Sequence, residues 1–266
     1  MALSIAQQAY SGSIFPSGTI AFPNPMGAGN LVLVMAYDGS SDTLPSSLGD
    51  SAGNTYSLSV EADDTADGAV SFIYSCLSGA TYAGTNTVTF GASHMPGPCF
   101  ILEVTGASSW TSGPTANKTN PYSGNNSTLS IGPVNVASQP AFLLSGVWVT
   151  GNVTTVSAGG SFAYLANSPS SLSGYASLSG TYDIVTSNGN VTSAQTVSAS
   201  TGWSGVLASF YGAPLTKSDT VPMTGGGRGT RNASYIKMAP KDLRDGARAQ
   251  EYLRAQRDRY RAREAA

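Results

Sequence analysis

Asn30-Leu-Val-Leu-Val-Met-Ala-Tyr37 is the stretch on which the fold of this chain turns. Its apolar run, Leu31 to Tyr37, is the longest in the sequence. It has the length of one buried strand and falls well short of the ~18 residues that span a bilayer as a helix. Asp38-Gly39 closes it with a turn signal. Working outward, Ser71-Phe-Ile-Tyr-Ser-Cys76 and Thr85-Asn-Thr-Val-Thr-Phe90 trade small polar for large apolar residues with a period near two. Such alternation marks half-buried strands. Further candidate strands are 18–22, 55–61, 99–105, 127–131, 141–149, 161–166, 175–185, 191–198 and 204–211, separated by turn clusters such as Ala52-Gly53-Asn54, Asp67-Gly68 and Asn188-Gly189-Asn190. Short strands with regular turn signals predict an all-β sandwich or barrel. No amphipathic helix is expected before residue 238.

The strands also repeat. Asn30–Tyr37 parallels Ala141-Phe-Leu-Leu-Ser-Gly-Val-Trp148, Ser51-Ala-Gly-Asn-Thr-Tyr56 parallels Ser157-Ala-Gly-Gly-Ser-Phe162, and Phe100-Ile-Leu-Glu-Val-Thr-Gly-Ala107 parallels Val206-Leu-Ala-Ser-Phe-Tyr-Gly-Ala213. The order is kept, at a spacing of 106–111 residues. We expect one sandwich with internal pseudo-duplication, in which two similar strand sets cover each other's apolar face around a single core.

Charged residues are only 11% of the chain, and Gly, Ser, Thr, Asn and Ala take their place. The net charge of −2 conceals a split: residues 1–215 hold nine acids and one base, Lys118, whereas residues 216–266 hold twelve bases and six acids. A body at −8 and an end at +6 suggest separate tasks. The texture changes at the same place. Residues 1–213 read as the sandwich; residues 214–237, with Pro214, Pro222 and Gly225-Gly-Gly-Arg-Gly229, as a flexible linker. Residues 238–266 read as a basic helical tail, with Pro240 suited to a first turn and Arg257, Arg259, Arg261 and Arg263 to the last. Its apolar stripe is narrow, so the helix should dock on a partner, with Leu243, Tyr252, Leu253, Arg257 and Tyr260 as the contact residues. Acids interleave with its bases, which favours a protein partner over nucleic acid. Met1-Ala-Leu-Ser4 lacks the charged start of a secretory signal, so neither that export route nor membrane insertion is expected.

Little in the sequence points to catalysis. His94 is the sole histidine and lies in the loop-like Gly91-Ala-Ser-His-Met-Pro-Gly-Pro98 without a nucleophile motif. No catalytic residue is assigned. Glu61 and Glu103, the only glutamates of the body, are the sole pair that could cleave a glycan as paired carboxylates; solvent-facing strand positions are the simpler expectation. Asp63, Asp64 and Asp67 are candidate Ca²⁺ ligands, although they lack EF-hand spacing and an acidic solvated loop is the simpler expectation; no other cofactor is expected. Trp148 and Trp203 sit in apolar strands and should be core, while Trp110, after Ser108-Ser109, is the better exposed aromatic for stacking on sugar. Cys76 and Cys99 are expected to be buried free thiols, a disulfide between neighbouring strands being the alternative.

The string Asp50-Ser-Ala-Gly-Asn-Thr-Tyr-Ser-Leu58, the strand Ile101-Leu-Glu-Val-Thr-Gly106 and the late Gly202-Trp-Ser-Gly-Val-Leu-Ala-Ser-Phe210 resemble jelly-roll-type sandwiches of bacteriophage structural proteins and large bacterial surface proteins. The resemblance covers residues 5–213 and implies a scaffold, with no catalytic residues to carry over. The expected function is that of a structural virion protein, a head decoration or fibre or a tail or neck accessory. It would be assembled in the host cytoplasm, with other virion proteins and copies of itself as partners through the tail. The alternatives are a carbohydrate-binding or adhesive module at a cell surface, with host glycans as partners, and, more remotely, a glycan-cleaving enzyme.

Overall fold

The computed structural model describes residues 2–214 apart from 14–17, 40–43, 65–68, 80–81, 92–96, 121–126, 139, 150, 154–155, 170, 174–176 and 200. Every element among the described residues is a β-strand, and every pairing is antiparallel. The linker and the helical tail expected over 214–266 lie outside the described residues except for Pro214, which ends the last strand.

The first half contains β1 (Ser4–Ser11), β2 (Thr19–Ala21), β3 (Leu31–Asp38), β4 (Leu48–Asp50), β5 (Ser57–Asp64), β6 (Ala69–Leu77), β7 (Thr87–Phe90) and β8 (Cys99–Thr105). They form a five-stranded sheet, β1-β8-β3-β6-β5, and a three-stranded sheet, β2-β7-β4. The second half contains β9 (Ala107–Asn120), β10 (Thr128–Val136), β11 (Ala141–Val149), β12 (Asn152–Val153), β13 (Val156–Ala158), β14 (Ala163–Tyr164), β15 (Leu172–Ser173), β16 (Ser179–Val185), β17 (Gly189–Val197) and β18 (Trp203–Pro214). Its large sheet runs β14-β16-β11-β18-β9, its small sheet β10-β17-β13, and β12 pairs with β15. The two halves are wound alike. In each, the first strand pairs with the last, the second with the second-to-last and the third with the one before: β1–β8, β2–β7 and β3–β6, then β9–β18, β10–β17 and β11–β16.

One core was expected, and the buried apolar residues instead fall into three clusters. One lies between the sheets of the first half, built from Val32, Val34, Ala36, Phe72, Val88, Phe90 and Ile101. A second lies between the sheets of the second half, built from Leu129, Ile131, Leu143, Val147, Trp203 and Leu207. The third joins the two five-stranded sheets face to face, through Leu33, Met35, Tyr37, Phe100 and Leu102 on one side and Phe142, Leu144, Trp148, Val206 and Phe210 on the other. The result is four layers of three, five, five and three strands.

The reason is legible in β3. All eight residues are buried, because alternate side chains go to opposite faces and both faces are covered. Leu31, Leu33, Met35 and Tyr37 enter the central cluster, while Val32, Val34 and Ala36 enter the first half's own core. β11, buried at all nine positions, is split the same way between the central cluster and the second half's core. Two sets that merely covered each other would need one apolar face apiece. A strand buried along its whole length in each set means two faces to cover.

The halves interlock closely. The rings of Tyr37 and Trp148 stack across the central layer with centroids 4.4 Å apart and planes 13° from parallel. Gly146 and Gly180 are register partners on β11 and β16, and they form the floor against which Met35 of β3 lies. A Cβ on Gly146 would stand 2.5 Å from Met35 Sδ, and one on Gly180 would stand 2.9 Å from Met35 Cε. A single residue, Gly106, separates β8 from β9 and so joins the halves. Its φ is +103°, and a Cβ there would drive into the backbone of Ala2 and Leu3. Only glycine fits this junction.

Candidate functional site

The carboxylates of the first half are held by chain segments that the fold brings together from far apart in sequence. Glu103 on β8 is buried. Its Oε2 accepts from Gln7 Nε2 of β1 at 2.5 Å; its Oε1 accepts from Gly27 N at 2.7 Å and from Asn30 Nδ2 at 2.6 Å. Gln7 spans further, donating to Asn24 O at 3.1 Å and accepting from Asn24 N at 2.9 Å. Glu103 thus ties β1, β8 and the segment leading into β3. It does not face solvent as expected. Glu61 does: it is exposed on β5. Within the sheet β8 and β5 are separated by β3 and β6. Glu103 aligns with Val32, and Glu61, through Phe72, with Ala36. At ~4.8 Å per strand and ~3.4 Å per residue the two glutamates lie on the order of 20 Å apart, whereas paired glycosidase carboxylates need about 5–10 Å. The structure does not bring them together.

Asp50, the first residue of the Asp50–Leu58 segment, is the centre of a second network. Its Oδ1 accepts from Asn54 N at 2.9 Å. Its Oδ2 accepts from Asn54 Nδ2 at 2.9 Å, Tyr56 OH at 2.8 Å and Asn86 Nδ2 at 2.9 Å. Asn86 is fully buried, and its Oδ1 accepts from Ser51 Oγ and Ala52 N, each at 3.1 Å. Partial burial works against the Asp50 charge, but the hydrogen bonds from Asn86, Asn54 and Tyr56 outweigh it and hold the carboxyl below its ordinary range. Burial, then the neighbouring Cys76 and Asp50, push the Tyr56 hydroxyl far up. The motif therefore pins the β4–β5 turn to β7. Asn86 stands in phase with the buried Val88 and Phe90 of the alternating stretch, whereas no local pattern marks Gln7; neither sequence position reveals its partners, which for Gln7 lie 17 and 96 positions away and for Asn86 35 and 36.

Both cysteines are free and buried. Cys76 aligns with Val32 and Cys99 with Ala36 on opposite sides of β3. That places them well beyond the ~7 Å Cα separation a disulfide tolerates. Burial raises both thiols, Cys76 to about 12. Trp148 and Trp203 are core, as expected.

Trp110 is buried, where an exposed position was expected. It is 6% exposed and lies within β9, paired with Gly212 of β18; Ser108-Ser109 is strand, not loop. With no side chain on Gly212, the indole packs over it, its Cζ3 3.4 Å from where a Cβ would stand. Even so, Trp110 forms part of a cleft. A hollow of about 580 Å³ opens at the end of the central layer, lined by Asn54, Ser57, Ser75, Trp110, Thr111 and Ser112 beside Leu31, Leu77 and Phe210. The Trp110 Nε1 has no hydrogen-bond partner among the described residues, and Leu77 is half exposed. The cleft thus joins one indole, two apolar walls and a rim of hydroxyls and an amide.

Asp63 is exposed near the end of β5, Asp64 is the last residue of that strand, and Asp67 lies outside the described residues. Among the described residues no three His, Cys, Asp or Glu side chains gather as a metal site. His94 and the tail residues Leu243, Tyr252, Leu253, Arg257 and Tyr260 also lie outside the described residues. No described helix is long and apolar enough to cross a membrane. No protein-family model, no curated protein and no solved structure matches this chain.

Proposed function

We propose that the chain is a structural display protein of a bacteriophage virion, in which a doubled jelly-roll body is presented and residues 216–266 anchor it to other virion proteins or to copies of itself. The observation that carries this reading is the nested pairing of strands. A jelly roll is a long antiparallel hairpin wrapped into two sheets, so its first strand meets its last, its second the second-to-last and its third the one before. Both halves follow that order. The disposition of the polar groups supports a scaffold role. Glu103 and Asp50 are spent on fastening loops, and Ser, Thr, Asn and Gly dress the surface.

The test is to delete residues 216–266. The body should remain folded and soluble while copurification with capsid or tail proteins, or self-assembly, is lost. Unchanged assembly refutes the anchoring role.

A second reading is favoured by the cleft at Trp110. An apolar wall presented mainly by Leu77, with hydroxyls and an amide beside it, suits a sugar ring, whose faces are apolar and whose edge is polar. Under this reading the body is an adhesive module for host-surface glycans. Glycan-array binding that survives both Trp110→Phe and Ser112→Trp, the second of which fills the cleft, refutes it.

A further inference from the structure

We propose that the interior of the second half is a hydrated chamber, with ordered water held between its two sheets by Ser145, Thr181, Ser193 and Gln195. All four residues are fully buried. Ser145 of β11 and Thr181 of β16 are register partners, so their side chains stand side by side on one face. Ser179, two residues along β16, is on that face too, and its Oγ donates across the intersheet space to Gln195 Oε1 of β17 at 2.6 Å. Ser193 lies two residues from Gln195 on the same face of β17. Ser145 Oγ, Thr181 Oγ1, Ser193 Oγ and Gln195 Nε2 have no hydrogen-bond partner among the described residues.

Four such atoms in one enclosed space are a strongly unfavourable arrangement unless something hydrogen-bonds them. The first half shows how the same space is otherwise filled. With Asn30–Tyr37 set against Ala141–Trp148, Ser145 takes the place of Val34, and its partner Thr181 that of Tyr74. Ser179, opposite Val147, takes the place of Phe72, opposite Ala36. Two aromatic rings are replaced by a hydroxymethyl and a hydroxyethyl group. The exchange takes away side-chain volume and adds hydroxyls, which is the direction that a buried water requires. At about three hydrogen bonds per water, one or two molecules satisfy the four atoms. The occupant is neutral, because the groups that face it are hydroxyls and an amide. Asp183, the nearest acid on that face of β16, is engaged by Ser161 Oγ and by Ile184 N.

The test uses the full chain. Water-to-protein nuclear Overhauser spectra should show a long-lived water at the Thr181 methyl. Thr181→Val and Ser145→Ala should each lower Tm by about 2–4 °C, since each removes a hydrogen bond to the bound water. In a dry chamber the same substitutions delete an orphaned hydroxyl and raise Tm. A missing cross-peak, or a rise in Tm for both variants, overturns the proposal.

Discussion

The contact between Met35 and the Gly146–Gly180 floor makes the joining of the halves measurable. A methyl group on Gly146 would stand 2.5 Å from Met35 Sδ and 3.3 Å from its Cγ and Cε, where carbon contacts favour about 3.5–4.0 Å. Met35 is fully buried, so it must shift inside a packed layer. Overpacking of this kind costs about 1–3 kcal/mol, which for a body of this size lowers Tm by roughly 2–10 °C. Met35→Ala leaves a cavity instead and costs about 2–5 kcal/mol. The double variant is decisive. The methyl group added by Gly146→Ala then enters space that Met35 has vacated, so the two losses do not add, and the combined destabilisation should fall short of their sum by about 1 kcal/mol or more. Urea unfolding of the full chain, wild type and three variants, gives the cycle. Additivity within ~0.5 kcal/mol would refute the interlocked central layer, as would a Gly146→Ala variant as stable as the parent.

Three other outcomes follow from the geometry. Gly106→Ala should lower Tm more than Gly146→Ala, because a positive φ and a collision with the Ala2–Leu3 backbone coincide; an unchanged melt would disprove the tight junction. The Asp50 carboxyl titrates lower folded than unfolded, so its contribution is fully present above the unfolded value near ~3.9 and is lost as pH falls through the lower folded value. Asp50→Asn should therefore be less stable at neutral pH and flatten the acid limb of a urea-midpoint profile; parallel profiles would contradict the network. Glu103→Ala should destabilise by about 1–3 kcal/mol or more, since it strands the buried donors of Gln7, Gly27 and Asn30 without an acceptor, and a loss under about 1 kcal/mol in chemical denaturation would speak against it.

Much of the architecture is legible because strands advertise themselves in two ways. Alternation reveals β6 and β7, an unbroken apolar run reveals β3, and an apolar run interrupted only by Ser145-Gly146 reveals β11. The short strands β4, β12, β13 and β15 carry neither signal, and neither do two long ones. β9 contains Thr111-Ser-Gly-Pro-Thr-Ala-Asn-Lys-Thr-Asn120, a composition that reads as loop; it is an edge strand, where proline is tolerated. β1, Ser4-Ile-Ala-Gln-Gln-Ala-Tyr-Ser11, is also an edge strand and has few large apolar residues. Its Gln7 looks like a surface residue until Glu103 is placed opposite it. The burial of Trp110 is hidden for a related reason: the serines before it suggest a loop, and only its pairing with Gly212 shows the surface that it covers.

The all-β class and the recurring strand motifs are readable in the sequence alone, since they rest on local periodicity and repeated residue strings. The sequence also contained the evidence for two covered faces in Leu31–Tyr37 and Ala141–Val149. What it could not say is which partner covers each face. One core and three cores require the same apolar strands, and the choice depends on contacts between residues more than a hundred positions apart, such as Tyr37 with Trp148 and Met35 with Gly146. The polar groups obey the same division. A serine, glutamine or glutamate reads alike on a surface and in a core; only the packing of sheet on sheet makes Glu103 a fastener and Ser145 and Gln195 the lining of a buried chamber.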